Sequence, residues 1–160
     1  MNFFKYFILL IIFLITISCS KDKVKKSVIN EKNLDAQVFE AYQKGMDSLE
    51  AGDVLFAAKK FNEAEILFPQ SEWAPKSALM AAYSYYTQDY YKDAIAELER
   101  FIRIYPYYKD LDYAYYLMAI SHYEQIVDEK KDLQSIVNAK NNFSLIIKDY
   151  PNTEYALDAE

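Results

Sequence analysis

Few side chains in this sequence have the types and spacing that chemistry requires. The chain holds one histidine, His122, and one cysteine, Cys19. No cysteine or second histidine lies near His122 to share a metal ion, and no serine–histidine–acid arrangement can be built around it. Closely spaced acids occur at three places, which we interpret as charges on helix faces or loops: Glu63 and Glu65, Glu97 and Glu99, and Asp128 and Glu129. With no glycine-rich phosphate loop either, the sequence predicts a protein that is not an enzyme and that carries no metal and no cofactor.

The first 18 residues have the character of an export signal. Lys5 supplies a weak positive region, and residues 7–15 form an unbroken apolar run of nine residues. That run is shorter than the roughly 20 apolar residues needed to span a bilayer, and its length is typical of a secretory signal peptide. We therefore assign residues 1–18 to a signal peptide.

Cys19 follows this signal directly and allows three interpretations. A buried thiol is disfavoured next to an export signal and a polar segment, whereas an intermolecular disulfide is open to an unpaired exported cysteine. The third interpretation is lipidation, because residues 16–19 resemble the lipobox of bacterial lipoproteins, with Thr16 where leucine is usual. We favour lipidation, since several acyl chains would anchor the protein firmly. Ser20, which is not aspartate, favours sorting to the outer membrane.

Beyond the cysteine the chain divides into a tether and a body. Residues 19–34 are mostly polar and charged, and we expect a lipidated cysteine followed by a flexible tether. Residues 35–160 are rich in helix-forming residues and contain only two glycines, which favours an all-helical body. The net charge of −6 leaves no basic surface of the kind that binds nucleic acid.

One spacing of residues occurs three times in the body. A small residue is followed by further packing residues 4 and 7 positions later and by a proline 12 positions later: Ala57, Phe61, Ala64 and Pro69; Ala94, Leu98, Phe101 and Pro106; Ala139, Phe143, Ile146 and Pro151. Such spacing is typical of a helix that packs closely on a neighbour and ends at the proline. Gly45 and Gly52 precede the first copy at the positions where a helix pair needs a small packing residue and a turn. This is the tetratricopeptide (TPR) signature.

The sequence therefore predicts an all-α, TPR-type superhelical solenoid of helix–turn–helix units. It contains about three repeats, over residues 35–71, 72–108 and 109–152, and the start of a fourth over residues 153–160. Capping residues place the helix starts at Asp35, Asp53, Ser71, Asp89, Asp110 or Asp112, Asp132, and Asn152 or Thr153. The second and third prolines are 45 residues apart against 37 for the first two, which predicts an extended loop at residues 128–135. Because the fourth repeat has neither a second helix nor a polar cap, we expect the N-terminal part of a longer protein.

A binding surface follows from the same register, because the first helix of each TPR lines the concave face. Counting back from the packing alanines predicts a groove for an extended or helical peptide. Its side chains combine a large contact area with low rotamer entropy and, in the tyrosines, a polar tip. Packing between helices is the alternative role for each of these residues. The predicted groove residues are Tyr42, Met46, Leu49, Leu79, Tyr83, Tyr86, Tyr113, Tyr116, Ile120 and Tyr123.

Two stretches carry a more specific resemblance. Residues 100–106 (RFIRIYP) with 112–116 (DYAYY), and residues 150–159 (YPNTEYALDA), closely resemble the BamD (YfiO/ComL) family of outer-membrane assembly lipoproteins. The charged insertion that includes Lys131 and Asp132 resembles the alphaproteobacterial form. The resemblance covers residues 36–160 and agrees with the lipoprotein signal.

The resemblance implies a non-catalytic subunit of the β-barrel assembly machinery (BAM), lipid-anchored at the periplasmic face of the outer membrane. It implies docking to a BamA-type barrel protein, through repeats beyond residue 160, and association with other BAM subunits. It also implies contact with unfolded outer-membrane proteins through C-terminal signals that end in an aromatic residue. Two alternatives are another periplasmic TPR lipoprotein, which coordinates envelope growth or pilus assembly, and the TPR part of an exported cell-wall enzyme.

Overall fold

The computed structural model describes residues 31–126 and 133–160, and all regular structure within them is helical. This confirms the predicted all-α class and the succession of helical hairpins. The helices are α1 (Glu31–Glu50), α2 (Val54–Leu67), α3 (Trp73–Tyr86), α4 (Tyr91–Ile104), α5 (Leu111–Glu124), α6 (Leu133–Asp149) and α7 (Glu154–Asp158). The predicted signal peptide, Cys19, most of the tether and the insertion at 128–132 lie outside the described residues.

The helices pack in the order in which they follow along the chain. Each helix contacts the next one, and the first helices of successive repeats also contact each other: α1 with α3, α3 with α5, and α5 with α7. The second helices α2 and α4 do not approach each other to within 8 Å between Cα atoms. The first helices therefore form a continuous face, whereas the second helices stand apart on the other side, as in a TPR solenoid.

The repeated spacing marks the residues that hold each hairpin together. Ala57, Phe61 and Ala64 in α2 are fully buried, as are the corresponding Ala94, Leu98 and Phe101 in α4. Gly45 of α1 lies against the Phe61 ring so closely that an added Cβ atom would come within 2.7 Å of it. Only glycine fits at this crossing, which explains the small residue that the TPR pattern places there.

Two of the predicted helix starts are confirmed by capping bonds. Asp53 Oδ1 accepts a hydrogen bond from the Phe56 amide at 3.2 Å, and Thr153 Oγ1 accepts one from the Ala156 amide at 3.3 Å. Gly52, directly before Asp53, has a φ of 81°, a left-handed conformation that favours glycine in the turn between α1 and α2.

Other predicted starts are wrong by one to four residues. Helix α1 begins at Glu31, before Asp35, because the residues between them are tolerated in a helix. Asp89 does not cap α4: it takes a left-handed φ of 62° in the turn, and its carboxylate accepts a hydrogen bond from the Tyr91 hydroxyl at 2.7 Å. The N-cap position of α3 is Glu72 and not Ser71, whose hydroxyl is buried without a hydrogen-bond partner.

The predicted loop at residues 128–135 is also partly wrong. Helix α6 begins at Leu133, so residues 133–135 are helical, and residues 128–132 of the predicted loop lie outside the described residues. The side-chain amide of Gln134 donates to Asn138 Oδ1 at 2.9 Å, one helical turn later. This contact supports the helix one turn earlier than the repeat alignment suggests.

An ionic network joins the first repeat to the second. The Arg100 guanidinium of α4 donates to both carboxylate oxygens of Glu65 in α2, at 2.8 and 2.7 Å, and to Glu97 at 2.8 Å. The Tyr105 hydroxyl donates to Glu65 Oε1 at 2.8 Å. Glu65 is only 6% exposed, and a buried carboxylate is stable when it is paired and fully hydrogen-bonded in this way.

Candidate functional site

The predicted groove residues of the first repeat pack inside it. Tyr42 is 6% exposed, and its ring lies 5.3 Å from that of Phe61 and 5.0 Å from that of Trp73, centre to centre. Met46 and Leu49 are half-buried against the same core. These side chains position helices α1, α2 and α3, so the first repeat offers little open surface at the predicted positions.

Four of the predicted tyrosines come together across the next first helices. Tyr83 and Tyr86 of α3, and Tyr113 and Tyr116 of α5, are all half-buried at one face. Tyr155 of α7 completes the group: its ring lies 5.4 Å from the Tyr113 ring and 5.2 Å from the Tyr116 ring. We call these five residues the tyrosine cluster. Since all five belong to first helices, the register that predicted the groove also explains the cluster.

The pKa values of Tyr113 and Tyr116 in the tyrosine cluster are raised by burial and by neighbouring tyrosines and acids. Burial raises the pKa of Tyr113, and the neighbouring Tyr83 and Tyr155 add to the rise. Burial also raises the pKa of Tyr116, whose hydroxyl donates to Asp158 Oδ2 at 3.3 Å. The Tyr113 and Tyr116 hydroxyl groups therefore stay protonated at neutral pH and can both donate and accept hydrogen bonds.

A cleft of about 320 Å³ opens beside the tyrosine cluster. Tyr113 and Tyr155 form one side of it, and Lys76 stands at another. The Lys76 ammonium lies 4.9 Å from the Trp73 ring centre and 5.1 Å from that of Tyr42, so cation–π contacts hold it in place. The remaining lining residues are Leu79, Met80, Tyr108, Lys109, Asp110 and Asp112.

The last three predicted groove residues are divided between a hydrophobic core and a second cleft. Leu79, 6% exposed, belongs to the hydrophobic core between α3, α4 and α5, and Ile120 is half-buried against that core. Tyr123 is 60% exposed and lines a different cleft, of about 910 Å³, with Phe143 and other side chains of α6. The structure thus brings together Tyr83, Tyr86, Tyr113 and Tyr116 but places Tyr123 outside their group.

The arrangement suits binding more than bond-making. Within residues 34–126 and 133–160, no three histidine, cysteine or acidic side chains are placed to hold a metal ion. Burial lowers the pKa of His122, which is half-buried in α5. No described helix is long and apolar enough to cross a bilayer. What the site provides is aromatic surface, hydroxyl groups, two lysines and two aspartates around a narrow cleft.

Several residues of this site were not among the predicted groove residues, and two of them, Tyr155 and Lys76, show why. Tyr155 was recognisable as part of the fourth repeat's first helix, since it directly precedes a buried alanine, Ala156, as Tyr113 precedes Ala114. Lys76 was missed because its role depends on rings from two helices, Tyr42 of α1 and Trp73 of α3. No local pattern in the sequence predicts that contact.

A family model described as YfiO, outer membrane lipoprotein, matches residues 34–160. The match therefore includes every described helix except the first turn of α1. It also includes all five members of the tyrosine cluster. Of the three hypotheses raised by the sequence, this finding supports the family suggested by the two specific stretches.

Curated relatives carry the same indication. The chain is 41% identical over 118 residues to a Caulobacter vibrioides protein named outer membrane protein assembly factor BamD, covering 74% of this chain and 39% of that protein. A Rickettsia prowazekii protein of the same name is 32% identical over 151 residues, covering 94% of this chain and 58% of the relative. A Neisseria gonorrhoeae protein of that name is 30% identical over 135 residues, covering 78% and 51%. The chain thus spans between about two fifths and three fifths of the length of these relatives.

Proposed function

Since the chain belongs to the YfiO family of outer membrane lipoproteins, we propose that it serves as a non-catalytic scaffold in the assembly of outer-membrane β-barrel proteins. The observation that carries this proposal is the tyrosine cluster beside its narrow cleft, on the face built from the first helices. Stacked TPR hairpins present such a face to extended peptides. The curated relatives are named for the same process.

The partner at this face is an unfolded outer-membrane protein whose C-terminal signal ends in an aromatic residue. An aromatic side chain would stack on Tyr113 and Tyr155, whose rings already lie at the contact distances of aromatic pairs. Lys76 lines the same cleft and offers positive charge to the terminal carboxylate, whereas Lys109, which also lines it, lies 3.9 Å from Asp110. The remaining partners are a BamA-type barrel protein and other BAM subunits.

The anchor is a lipid on Cys19, which would hold the body at the periplasmic face of the outer membrane. Cys19 lies outside the described residues, so the support comes from residues 16–19 and from the family. Replacing the acyl-bearing sulfur removes the anchor without touching the helical body. We expect Cys19→Ala to move the protein from the membrane fraction to the soluble periplasmic fraction with unchanged helicity; undiminished membrane retention would contradict the anchor.

The scaffold role is tested by co-purification from membranes in mild detergent. The probe is the full-length protein carrying an affinity tag, and the expected partner is a BamA-type barrel protein. The same preparation from the Cys19→Ala variant shows whether loss of the lipid anchor by itself removes the partner. Recovery of cell-wall or division proteins in place of a barrel protein would overturn the proposal.

A further inference from the structure

We propose that the cleft between α2 and α4 is a second docking surface, for a protein segment that carries aliphatic side chains flanked by lysine or arginine. This cleft is lined by second helices, whereas the tyrosine cluster belongs to first helices. The inference goes beyond the proposed peptide groove and does not depend on it. We call this surface the α2–α4 cleft; it is lined by Asn62, Glu65, Ile66, Pro69, Glu97, Arg100, Ile104 and Tyr105.

The cleft exists because the two second helices stand apart. First helices α1 and α3 touch directly, but α2 and α4 do not come within 8 Å between Cα atoms. The space between them has a volume of about 490 Å³ and is crossed only by long side chains, chiefly Arg100 reaching Glu65. Side chains of a docked segment could enter this gap above the bond between Arg100 and Glu65 without displacing any backbone.

The floor of the α2–α4 cleft is rigid and almost fully hydrogen-bonded. Arg100 binds Glu65 through two bonds and Glu97 through a third, and Tyr105 adds a bond to Glu65. The exception is Asn62: its amide nitrogen donates to Glu97 at 3.4 Å, while its oxygen is enclosed without a hydrogen-bond partner. A preformed floor lowers the ordering cost when a partner docks, and a partner's donor could satisfy the Asn62 oxygen after a small rotation of that side chain.

The rim of the cleft is apolar and open to solvent. Ile66 on α2 is 73% exposed and Ile104 on α4 is 49% exposed, one on each side of the floor. Leu55 lies eleven residues, or three helical turns, before Ile66 on the same face of α2 and is 56% exposed. Single exposed aliphatic residues are ordinary, but Ile66 and Ile104 line a formed cleft, which is typical of an interaction site, and Leu55 extends the apolar face of α2 beyond it.

The negative charge of the α2–α4 cleft favours a partner segment that carries positive charge. The cleft lining contains two carboxylates, Glu65 and Glu97, and one guanidinium, Arg100, so its formal charge is −1, within a chain of net charge −6. A segment with aliphatic residues between lysines or arginines complements both the rim and the charge. A second copy of this chain would bring the same negative charge and is disfavoured for that reason.

Photocrosslinking tests the proposal in the intact membrane. A photoreactive phenylalanine derivative replaces Ile66 in the full-length protein, and the adducts formed on irradiation are mapped by mass spectrometry. The matched control carries the same group at Leu133, which is 62% exposed on α6 and lies outside the cleft. We expect a discrete adduct at Ile66 whose contacted segment is aliphatic and rich in lysine or arginine, and at least a fivefold weaker adduct from Leu133.

A second substitution checks that the adduct uses the cleft. Adding Ile104→Asp to the Ile66 crosslinker places a charge on the opposite rim and should reduce the adduct at least fivefold, with helicity by circular dichroism unchanged. Three outcomes would overturn the proposal: equal labelling from Leu133, an adduct that maps to a second copy or to an acidic segment, or an adduct unaffected by Ile104→Asp. Loss of peptide binding at the tyrosine cluster would leave this result unchanged, so the two proposals fail separately.

Discussion

The first and third repeats contain the same spacing of residues but bury it to different extents. In the first, Ala57, Phe61 and Ala64 are completely buried, whereas in the third Phe143, which corresponds to Phe61, stays half-buried. Helix α2 lies between α1 and α3, but α6 packs on α5 and on the five-residue α7. The spacing therefore determines which side chains can be buried, and the neighbouring helices determine how completely they are.

The junctions between repeats differ in chemistry as well. Glu65 stands eight residues after Ala57 and pairs with Arg100 across the first junction. At the corresponding positions of the next junction the sequence has Ile102 and Leu145. The first junction is therefore fixed by directional bonds, whereas the side chains at these two positions of the second junction are apolar and cannot form an ion pair.

The largest expected effect separates the two phenylalanines. Phe61→Ala removes a fully buried ring and should lower the free energy of unfolding by about 3–5 kcal/mol. Phe143→Ala removes a half-buried ring and should lower it by roughly half as much. Urea unfolding followed by circular dichroism measures both. Equal losses would contradict the difference in packing between the repeats.

The next effect concerns the ionic junction. Arg100→Ala leaves the buried Glu65 carboxylate without its main partner and should cost about 2–3 kcal/mol, somewhat below a fully buried pair because Arg100 is partly exposed. The control is Lys44→Ala, which breaks an exposed pair with Glu40 and should leave the urea midpoint nearly unchanged. If both variants unfold at the same urea concentration, the network does not stabilise the junction.

Alkaline pH should weaken both regions through their tyrosines. Burial raises the pKa of Tyr113 in the tyrosine cluster and of Tyr105 at the junction, the latter also through its bond to Glu65. The unfolded chain then releases these protons first, so the stability is present below about pH 10 and is lost as the pH rises further. Tyr113→Phe should make the alkaline decline of the unfolding free energy shallower, with Tyr107→Phe, at a 97% exposed position, as the control. An unchanged slope would contradict the burial of the Tyr113 hydroxyl.

The smallest expected effect is confined to the end of the described chain. Thr153→Ala removes the cap of α7 and should cost about 1 kcal/mol locally. Because α7 is short and, among the described helices, contacts only α5 and α6, amide hydrogen exchange in α7 should accelerate while α1 to α4 keep their protection. Faster exchange throughout the chain would show that α7 is coupled to all repeats, which would contradict the expectation that its effect is confined to the third repeat.

The architecture could be predicted well because the same spacing occurs three times, so that each copy supports the interpretation of the other two. Three copies of one pattern fixed the helix pairs, and the buried residues fall where the pattern places them. The starts of α1 and α4 were misplaced, since a capping residue such as Asp89 can also occupy a left-handed turn. Local preference alone does not distinguish these two uses of aspartate.

The candidate site was predicted in part for a different reason. Counting along first helices identified four members of the tyrosine cluster, but it also selected Tyr42, whose side chain is buried in the core of the first repeat. The contact of Lys76 with two rings and the bridge from Arg100 to Glu65 join residues from different helices. Such contacts depend on how helices cross, and a single sequence contains no direct record of that geometry.

Calorimetric titration measures whether the face of first helices binds aromatic-ended peptides. The full-length protein is titrated with a synthetic peptide that ends in phenylalanine and a free carboxylate, and then with the same peptide amidated. We expect Tyr113→Ala with Tyr116→Ala to weaken binding at least tenfold while helicity is preserved, whereas the control Tyr107→Ala binds as the unaltered protein does. Amidation should also weaken binding, because Lys76 loses its charged partner. Equal affinity for all three proteins would contradict the account and place the peptide site elsewhere.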